Sequence, residues 1–502
     1  MTSSLPDHLL LQFSELVASQ MGLHFPRERW PDLEKGIRSF ASESCDAPDV
    51  ETCLKQILSK PLARHQIETL ACALTVGETY FFRDKRSFEI LGERVLPPLI
   101  AARQGNERRL RVWSAGCCTG EEAYSIAISI DRILPSPRQW HITILGTDIN
   151  PRFLQKAADG IFSDWSFRDA PPWLKQTYFN QLGPHRFEIL PRIKQMVTFA
   201  YLNLAEDVYP SLSNGTNAMD LIFCRNVLMY FSQQRAIKVI HSFHRALVDA
   251  GWLFVSAVES STELFYQFLA EHSADAVLYQ KAGSPERQSA ASFPHDLERW
   301  PSVRTDTANF TQLPGSPTER LPEPQAPALL AADAEELLTP LEQGRALFEQ
   351  GHYAEAVAKL KGCSDVAQTP GISGLVARAC ANSGKLAEAR QWAEKAISED
   401  KLNAASHYLL ATVLQEQGDI EEAVAILKRA LYLEPDFVLV HFALGNNAWR
   451  QGNLKEAGKH FNTAMMLLAA YQSDALLPHS DGLAAGRLRA MIESTQLALQ
   501  VK

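Results

Sequence analysis

The sequence predicts a multidomain protein: an all-α N-terminal unit, then a Rossmann-like α/β domain with an insertion, then a C-terminal all-α solenoid. Three observations support this fold class. Apolar residues recur at helical spacing before residue 75, strand and helix patterns alternate between residues 76 and 281, and a glycine recurs about every 34 residues from position 351 onward. A chain of 502 residues also exceeds what a single hydrophobic core normally supports.

The N-terminal unit, residues 1–75, has the pattern of several short helices. Leu9, Phe13 and Val17 follow helical spacing, and prolines at positions 6, 26, 31, 48 and 61 separate the predicted helices. The basic residues that cluster around one of these helices are Arg27, Arg29, Lys35 and Arg38. A solvated charged face is the default interpretation, and docking onto acidic helices of a partner is the alternative.

Residues 76–281 alternate between strand and helix patterns, which is typical of a largely parallel sheet with helices on both faces. Helices are predicted from about residue 121 to 133 and after Ser232. The predicted strands are Leu110–Trp113, His141–Leu145, Leu221–Cys224 and Trp252–Val255. The stretch 160–204 has a Pro-Pro pair and short aromatic runs that do not fit one crossover helix, so we expect an insertion there.

A proline-rich segment and a repeat array follow the α/β domain. Residues 282–327 hold eight prolines among polar and charged residues, so we expect a disordered linker over 282–330. In the remaining part, 331–502, similar hexapeptides begin at Gly351, Gly384, Gly418 and Gly452, at spacings of 33, 34 and 34 residues. Small residues recur seven positions after the alanine of each hexapeptide, at Cys363, Ala396, Ala430 and Ala464. This period is typical of tetratricopeptide repeats, and residues after about 480 are predicted to form a capping helix.

Composition narrows the class of protein. The formal net charge of −9 argues against general nucleic-acid binding, which needs a concentrated basic face. Eight cysteines without zinc-type spacing favour reduced thiols. The N-terminus lacks a basic leader before an apolar core, and no apolar run approaches the roughly 20 residues that span a bilayer. We therefore expect a cytoplasmic protein without nucleic-acid partner and without direct membrane insertion.

The segment Val112–Tyr124 is the strongest indication of a ligand site. An apolar run breaks into a loop with Gly116 and Gly120, and two carboxylates, Glu121 and Glu122, open the following helix. Because a phosphate normally binds at such a helix N-terminus, the two acids argue against NAD and favour a cationic ligand. The alternative is that both acids only complement the helix dipole.

Asp148, directly after the second predicted strand, is a second indication of which ligand binds. A carboxylate at this position of a doubly wound sheet accepts hydrogen bonds from ribose hydroxyls, although a turn or helix cap is the alternative role. S-adenosylmethionine combines ribose hydroxyls with an ammonium and a sulfonium, so it fits both Asp148 and the acid pair. We expect Glu122 to be the ligand contact and Glu121 to be a helix-start residue.

Five segments, in this order, resemble the motif set of the CheR family of chemoreceptor glutamate methyltransferases. They are residues 79–83 (TYFFR), 113–125 (WSAGCCTGEEAYS), 147–149 (TDI), 203–204 (NL) and 224–231 (CRNVLMYF). The resemblance covers roughly residues 5–281, and with its repeats the chain resembles the WspC branch of the family, from the biofilm-controlling Wsp pathway. It implies a methyltransferase domain over 76–281, a receptor-docking role for 1–75, and a small β subdomain over about 160–204 that helps dock receptor helices.

The resemblance also implies roles for individual residues. Contacts with S-adenosylmethionine are implied for Gly77, Thr79, Arg83, Glu122, Asp148, Asn203, Leu204, Arg225 and Asn226. Arg83 and Tyr230 are implied to lie near the transferred methyl and to be catalytic, without a metal ion. Gly77 stands where the family often has Asn, so one cofactor hydrogen bond is expected to be missing or supplied by the backbone. The implied reaction esterifies glutamates on cytoplasmic helices of a methyl-accepting receptor and releases S-adenosylhomocysteine.

Other interpretations stay open at this point. The chain could be an adaptor whose α/β domain senses the cofactor without turnover, or it could methylate a small molecule or another protein carboxylate. Arg83 could pair with a surface acid, Tyr230 could be a buried hydroxyl, and Asn226 could be a turn residue. The repeats could bind a receptor tail, another signalling protein or peptide, or the chain's own catalytic domain.

Overall fold

The computed structural model describes residues 5–44, 48–60, 62, 64–103, 108–134, 136–206, 208–212, 214–273, 276–282, 339–362, 371–473, 475–480 and 483–500. The expected linker, except residue 282, and the positions Cys45 and Cys363 lie outside these residues. Among the described residues, no helix is both long and apolar enough to cross a membrane, and no group of three or more His, Cys, Asp or Glu side chains could hold a metal ion. The described elements form a helical domain, an α/β domain and an array of helix pairs, so the predicted fold class is confirmed.

The N-terminal domain consists of four helices around their own apolar core. They are α1 (Asp7–Met21), α2 (Trp30–Ser44), α3 (Val50–Leu58) and α4 (Arg64–Leu74), with a 3-10 turn at Arg27–Arg29. Phe13 and Leu33 are fully buried where the helices meet. Gly22, in the left-handed conformation with φ 76°, ends α1. The next residue, Leu23, forms a β-bridge with Phe231 and so joins this domain to the α/β domain.

The α/β domain is built on a seven-stranded, mostly parallel sheet. Its strands are β1 (Arg109–Ala115), β2 (His141–Asp148), β6 (Val197–Tyr201), β7 (Met219–Phe223), β8 (Leu247–Phe254), β9 (Phe268–Ser273) and β10 (Ala276–Lys281). They lie in the order β6-β2-β1-β7-β8-β10-β9, with β10 antiparallel to both of its neighbours. From β1, the chain adds β2 and then β6 on one side of the sheet. It then returns to the other side of β1, where β7 and β8 follow. The switch point, where such sheets bind ligands, therefore lies between β1 and β7.

Helices cover both faces of this sheet. They are α5 (Lys85–Ile90), a π turn (Leu91–Val95), α6 (Leu96–Ala102), α7 (Glu121–Ile133), α8 (Pro151–Asp159) and α11 (Gln233–Ala246). Side chains of β1 alternate between the two cores, as expected for a strand. Leu110 and Val112 pack with α5 to α7, whereas Trp113 and Ala115 pack with α11 on the other face. The strand is therefore buried on both sides, and its two arginines, Arg109 and Arg111, are paired with an acidic side chain.

A three-stranded antiparallel sheet forms the insertion. It contains β3 (Ile161–Phe162), β4 (Phe179–Gly183) and β5 (Arg186–Ile189), in the order β3-β5-β4, together with α9 (Trp173–Tyr178) and α10 (Pro191–Lys194). The ring of Phe81 lies 4.8 Å from that of Phe162 and 5.0 Å from that of Phe167, measured between centroids, so the insertion packs on the segment before α5. The expected end of the insertion at 204 is wrong, because β6 pairs with β2 in the main sheet. Most of β6 is only partly buried, so its sequence lacks the apolar run of a core strand.

The cysteines depart in one place from the expectation of reduced thiols. The free cysteines among the described residues are Cys72, Cys117, Cys118, Cys224 and Cys380. Cys53 is disulfide-bonded, so the expectation is wrong for this residue. Spacing along the chain does not show which thiols approach each other in three dimensions.

The C-terminal array contains, in the described residues, four helix pairs and a capping helix. They are α12 (Pro340–Glu349) with α13 (Tyr353–Lys361), α14 (Ile372–Asn382) with α15 (Leu386–Glu399), α16 (Ala404–Gln417) with α17 (Ile420–Leu433), α18 (Val438–Arg450) with α19 (Leu454–Leu468), and α20 (Ala485–Gln500). The glycines at the turns within the pairs, Gly351, Gly384, Gly418 and Gly452, all have φ between 76° and 90°. This left-handed backbone explains why glycine recurs at these turns.

The array lies along the amino edge of the main sheet. Glu416, at the end of α16, forms ion pairs with Arg109 and Arg111 near the start of β1. A Cβ placed on Gly418 would lie 3.7 Å from Nδ1 of His141, the first residue of β2. The repeats therefore contact the edge of the sheet that lies opposite its carboxyl edge.

Candidate active site

A cavity of about 410 Å³ opens at the carboxyl edge of the main sheet, near the switch point between β1 and β7. This volume is within the range of small-molecule sites in proteins. Its wall includes residues from 21–25 of the N-terminal domain and residues that follow each of β1, β2, β6 and β7. The predicted site residues that line it are Thr79, Arg83, Glu122, Asp148, Asn203, Leu204, Arg225, Asn226 and Tyr230.

The loop after β1 needs glycine at two positions. Gly116 has φ 80° and Gly120 has φ 94°, a backbone region that residues with a Cβ rarely adopt. A Cβ on Gly116 would collide with Val227, and one on Gly120 would lie 2.8 Å from Cβ of Ala157. The two glycines therefore allow the tight turn into α7 beside the cavity.

Glu122 and Arg225 form a buried charge pair on the cavity wall. Oε1 of Glu122 accepts a hydrogen bond from Oγ of Ser114 at 2.7 Å, and its Oε2 lies 3.4 Å from Nη1 of Arg225. Burial raises the pKa of Glu122, and the charge of Arg225 opposes this shift. Nε of Arg225 is buried and has no hydrogen-bond partner among the described residues. Nη2 of Arg225 also lies 3.2 Å from the Asp84 carboxylate, and the Arg225 side chain is only 2% exposed, so the accessible charge on this part of the wall is the Glu122 carboxylate. A carboxylate at this position suits a ligand that carries an ammonium.

Glu121 lies outside the cavity lining. Its carboxylate accepts hydrogen bonds from Oγ1 of Thr119 at 2.6 Å and from Oγ of Ser166 at 2.8 Å. Because Ser166 belongs to the insertion, Glu121 joins the start of α7 to that subdomain. The structure therefore brings Glu122, and not Glu121, to the cavity.

Asp148 ends β2 with its carboxylate at the cavity. Its Oδ2 accepts a hydrogen bond from the backbone N–H of Cys118 at 2.9 Å, and its Oδ1 accepts one from that of Asn150 at 2.9 Å. Burial raises the pKa of Asp148 to about 6, and these backbone hydrogen bonds oppose the rise. A carboxylate accepts about four hydrogen bonds, so acceptor positions remain for hydroxyl groups of a ligand.

Arg83 lies at the cavity through contacts with the main chain rather than with a surface acid. Its Nη1 donates to the carbonyl oxygen of Glu78, and its guanidinium carbon lies 5.9 Å from the ring centroid of Tyr80. Its carbonyl oxygen accepts a hydrogen bond from Nη2 of Arg225 at 2.7 Å. Arg225 thus links the segment before α5 to Glu122.

Glu259, which the sequence analysis missed, shapes the loop after β7. Its Oε1 accepts hydrogen bonds from the backbone N–H groups of Val227 at 2.6 Å and Met229 at 3.2 Å, and its Oε2 accepts one from that of Asn226 at 2.7 Å. Asn226 has φ 59°, a left-handed conformation that Asn tolerates better than most residues. The signal available in the sequence is the capping-box spacing from Ser256 to Glu259. The buried carboxylate therefore holds a loop that lines the cavity.

Tyr230 lies where the N-terminal domain closes the cavity. Its carbonyl oxygen accepts a hydrogen bond from the backbone N–H of His24 at 2.7 Å. The guanidinium carbon of Arg29 lies 5.4 Å from the centroid of the Tyr230 ring, and Arg29 also lines the cavity. The sequence analysis assigned Arg29 to a basic surface cluster. Arg29 is thus, after Glu259, a second residue whose role at the cavity the sequence did not predict.

Asn203 and Leu204 line the cavity beside the N-terminal domain. Nδ2 of Asn203 donates to the carbonyl oxygen of Gln20 at 2.9 Å, and its Oδ1 accepts from the backbone N–H of Ala205 at 3.0 Å. The carbonyl oxygen of Leu204 accepts from the hydroxyl of Tyr209 at 2.8 Å. Both residues are therefore held by contacts within the protein, and the Asn203 amide joins two domains.

Gly77 is the predicted site residue that the structure does not bring to the cavity, although its neighbours Val76 and Glu78 line it. A Cβ on Gly77 would lie 2.8 Å from Cζ of Phe153, a ring that itself lines the cavity. The ring of Phe153 occupies the space that a side chain at position 77 would need, and a cofactor contact of Gly77 stays a prediction.

Comparison with known proteins identifies the family. The family described as CheR methyltransferase, SAM binding domain, matches residues 77–272, and tetratricopeptide repeats match 341–404 and 408–475. Chemotaxis protein methyltransferase 1 of Pseudomonas aeruginosa is 35% identical over 217 residues, which are 42% of this chain and 77% of that protein. The probable biofilm formation methyltransferase WspC of Pseudomonas putida is 27% identical over 439 residues, which are 86% of this chain and 92% of that protein. S-adenosylmethionine is thus the cofactor, and the chain belongs to the CheR methyltransferase family, extended by C-terminal tetratricopeptide repeats.

Proposed function

We propose that this chain transfers the methyl group of S-adenosylmethionine to glutamate side chains of a methyl-accepting receptor in the cytoplasm, in chemosensory or biofilm signalling. The observation that carries the proposal is the buried pair of Glu122 and Arg225 in the large cavity at the carboxyl edge of the sheet. The Glu122 carboxylate complements the ammonium at the amino-acid end of the cofactor, and the positive charge of Arg225 beside it complements the cofactor's carboxylate.

The cofactor contacts are assigned from the chemistry of each lining group. Glu122 is assigned to the ammonium and Arg225 to the carboxylate. Asp148, with acceptor positions to spare, is assigned to the ribose hydroxyls. The remaining proposed contacts are Thr79, Arg83, Asn203, Leu204 and Asn226, all of which line the cavity. Gly77 is assigned an indirect role, which is to leave space for the ring of Phe153.

The proposed chemistry needs alignment rather than strong acid–base catalysis. When bound, S-adenosylmethionine supplies an electrophilic methyl group, so that the receptor glutamate becomes a glutamyl 5-O-methyl ester and S-adenosylhomocysteine is released. A glutamate carboxylate is already ionised near pH 7, so no residue has to remove a proton from it. Arg83 orients the incoming carboxylate through charge-assisted hydrogen bonds, and Tyr230 positions it at the closed end of the cavity. The N-terminal domain excludes water beside Tyr230.

The N-terminal domain, residues 1–75, is also the proposed docking surface for receptor helices. Lys35 is exposed, and the guanidinium carbons of Arg27 and Arg29 lie 5.2 Å from the ring centroid of Trp30 and 4.9 Å from that of Phe25. Acidic receptor helices would complement this charge. In this scheme residues 76–281 carry catalysis, residues 282–330 are a linker, and the array in 331–502 binds a further protein or peptide.

A second candidate function is that of an adaptor whose α/β domain binds the cofactor without turnover. The tetratricopeptide array favours it, because such arrays present extended binding surfaces. Arg83 and Tyr230 both lie at the cavity, where catalysis needs them, so the methyltransferase ranks first.

Transfer of labelled methyl from S-adenosylmethionine to purified cytoplasmic domains of receptors tests the proposal, with base-labile label as the sign of an ester. We expect Arg83→Ala to abolish transfer while S-adenosylhomocysteine still binds. Arg86→Ala is the matched control, because Arg86 lies three residues further on in an exposed ion pair with Glu89 at 3.1 Å, and it should retain transfer. Base-stable label would exclude the ester, and cofactor binding without transfer to any receptor would favour the adaptor.

A further inference from the structure

The crossover from β6 to β7, residues 202–218, connects the two opposite edges of the main sheet. It starts at the carboxyl edge, where Leu202, Asn203 and Leu204 line the cofactor cavity, and it ends at the amino edge, where β7 begins. Crossovers between parallel strands usually contain a helix, which supplies its own hydrogen bonds. The described residues of this crossover form no helix. They make turn hydrogen bonds among themselves, such as that from the backbone N–H of Thr216 to the carbonyl oxygen of Ser211, and they also contact other parts of the chain.

The first such contact joins the capping helix of the array to the cavity. Nη1 of Arg487, on α20, donates to Oε2 of Glu206 at 2.8 Å, and the side chain of Arg487 is only 5% exposed. Oε1 of Glu206 in turn accepts from Nδ2 of Asn203 at 3.4 Å. One carboxylate thus connects the end of the array to a residue of the cavity wall.

The second contact places Leu212 of the crossover in the apolar core of the array. Leu212 is only 8% exposed. Among the described residues, every other member of the apolar core around it belongs to the array. A cavity of only about 20 Å³ remains around it, and Tyr408, Leu409 and His479 contribute to its lining. Tyr408 and Leu409 belong to α16, which contacts α14, so Leu212 lies at the side of the array where the first helices of successive pairs meet.

The third contact is polar and lies beside the second. Nη2 of Arg111 donates to the carbonyl oxygen of Gly215 at 2.6 Å. Nη1 of the same guanidinium pairs with Glu416 of the array, which also pairs with Arg109 at 3.5 Å. The side chains of Arg111, Arg109 and Glu416 are at most 14% exposed, so this ion-pair group is largely shielded from solvent.

We infer that the tetratricopeptide array binds the catalytic domain of its own chain, and that this docking holds the 202–218 crossover in the conformation that completes the cofactor cavity. The array surface that surrounds Leu212 is therefore an internal binding site whose occupant is the crossover. A protein that binds the array at this position has to displace Leu212, and in doing so it lowers the affinity of the catalytic domain for the cofactor. The array thereby acts as a regulatory domain.

Calorimetric titration of the full chain with S-adenosylhomocysteine tests this inference without any receptor, so its outcome is independent of the proposed substrate. We expect Arg487→Ala and Leu212→Ser each to raise the dissociation constant at least about fivefold, the lower end of typical coupling between sites. The matched control is Arg390→Ala, which removes ion pairs with Glu394 and Glu422 inside the array and should leave the affinity unchanged. Hydrogen exchange of residues 202–212 should accelerate in the two docking variants.

A double-mutant cycle adds a readout that general loss of stability would not reproduce. Glu206→Gln combined with Arg487→Ala should weaken binding no more than Arg487→Ala alone. Both changes remove the contact between residues 206 and 487, and the amide oxygen of glutamine can still accept from Asn203. If Leu212→Ser fails to fold, Leu212→Ala and the Arg487 and Glu206 variants carry the test. Unchanged affinity in the docking variants despite accelerated exchange would refute the coupling, and unchanged exchange would refute the hold on the crossover.

Discussion

Replacement of Glu259 by glutamine tests whether one buried carboxylate holds the loop that lines the cofactor cavity. The two carboxylate oxygens accept hydrogen bonds from the backbone N–H groups of Asn226, Val227 and Met229 at 2.6 to 3.2 Å. Glutamine has almost the same shape but keeps only one acceptor oxygen. Its NH₂ group would face N–H donors on the other side, so the change removes hydrogen bonds without creating a cavity.

The expected size of the effect follows from these contacts. In either orientation of the amide, the oxygen that is lost serves at least two donors. Oε1 accepts from Val227 and Met229, and Oε2 accepts from Asn226 and from both the N–H and the hydroxyl of Ser256. Hydrogen bonds to charged groups contribute about 1.5–3 kcal/mol each, so the loss is about 3 kcal/mol if we take the lower value for both. For a domain of this size this corresponds to a decrease of about 6–12 °C in the melting temperature.

Two measurements on the full chain check this estimate. Calorimetric unfolding should show the decrease in melting temperature, and S-adenosylhomocysteine should bind up to about 100-fold more weakly, since about 1.4 kcal/mol corresponds to a factor of ten. Glu263→Gln is the matched control, because Glu263 is an exposed residue in the same segment and undergoes the same chemical change. If the two variants have equal melting temperatures and equal affinities, the role assigned to Glu259 is refuted.

Three further predictions concern other residues at or beside the cavity. Burial raises the pKa of Asp148 to about 6, so protons compete with the cofactor for this carboxylate below that pH. Calorimetry should therefore show that the affinity for S-adenosylhomocysteine falls by up to about tenfold per pH unit as the pH drops through 6. This pH dependence should disappear in Asp148→Asn. Glu122→Gln should weaken S-adenosylhomocysteine binding by about 1.5–3 kcal/mol, whereas Glu121→Gln should lower the melting temperature and spare the affinity; equal affinities would contradict the assignment. Gly77→Asn should weaken the same binding because it displaces the ring of Phe153, and adding Phe153→Ala should restore affinity; a lack of rescue would exclude this steric cause.

The parts of the site that the sequence predicted best are those encoded by short segments. Gly116 and Gly120 need positive φ, and Glu122 and Asp148 stand at fixed places after strands, so spacing along the chain was enough to predict that they lie close together. The structure brings the two carboxylates to one cavity, and their contact with the cofactor stays a prediction. The glycine period likewise predicted the repeat array, because every helix pair needs the same left-handed turn.

The parts that sequence analysis missed depend on residues far apart in the chain. Glu259 follows Asn226 by more than thirty residues, so its hydrogen bonds appear only when β7 and β8 are adjacent. The steric conflict between Gly77 and Phe153 depends on how α8 packs beside the cavity. Strand β6 was assigned to the insertion because its partly buried residues lack a continuous apolar pattern. In each case the information lies in a tertiary contact, which a local pattern does not contain.

The shielded pairing of Glu416 with Arg109 and Arg111 makes the repeats non-interchangeable. In most solenoids any unit can take the place of its neighbour, and families gain or lose whole units. Here a shift of the array by one unit would put Asn382 or Arg450, the residues equivalent to Glu416, opposite the two arginines. The first is neutral and the second repels them, so the unit that carries Glu416 has a fixed place on the catalytic domain. Because Arg487 of α20 contacts Glu206 of the crossover as well, the number of units between Glu416 and the capping helix is constrained too.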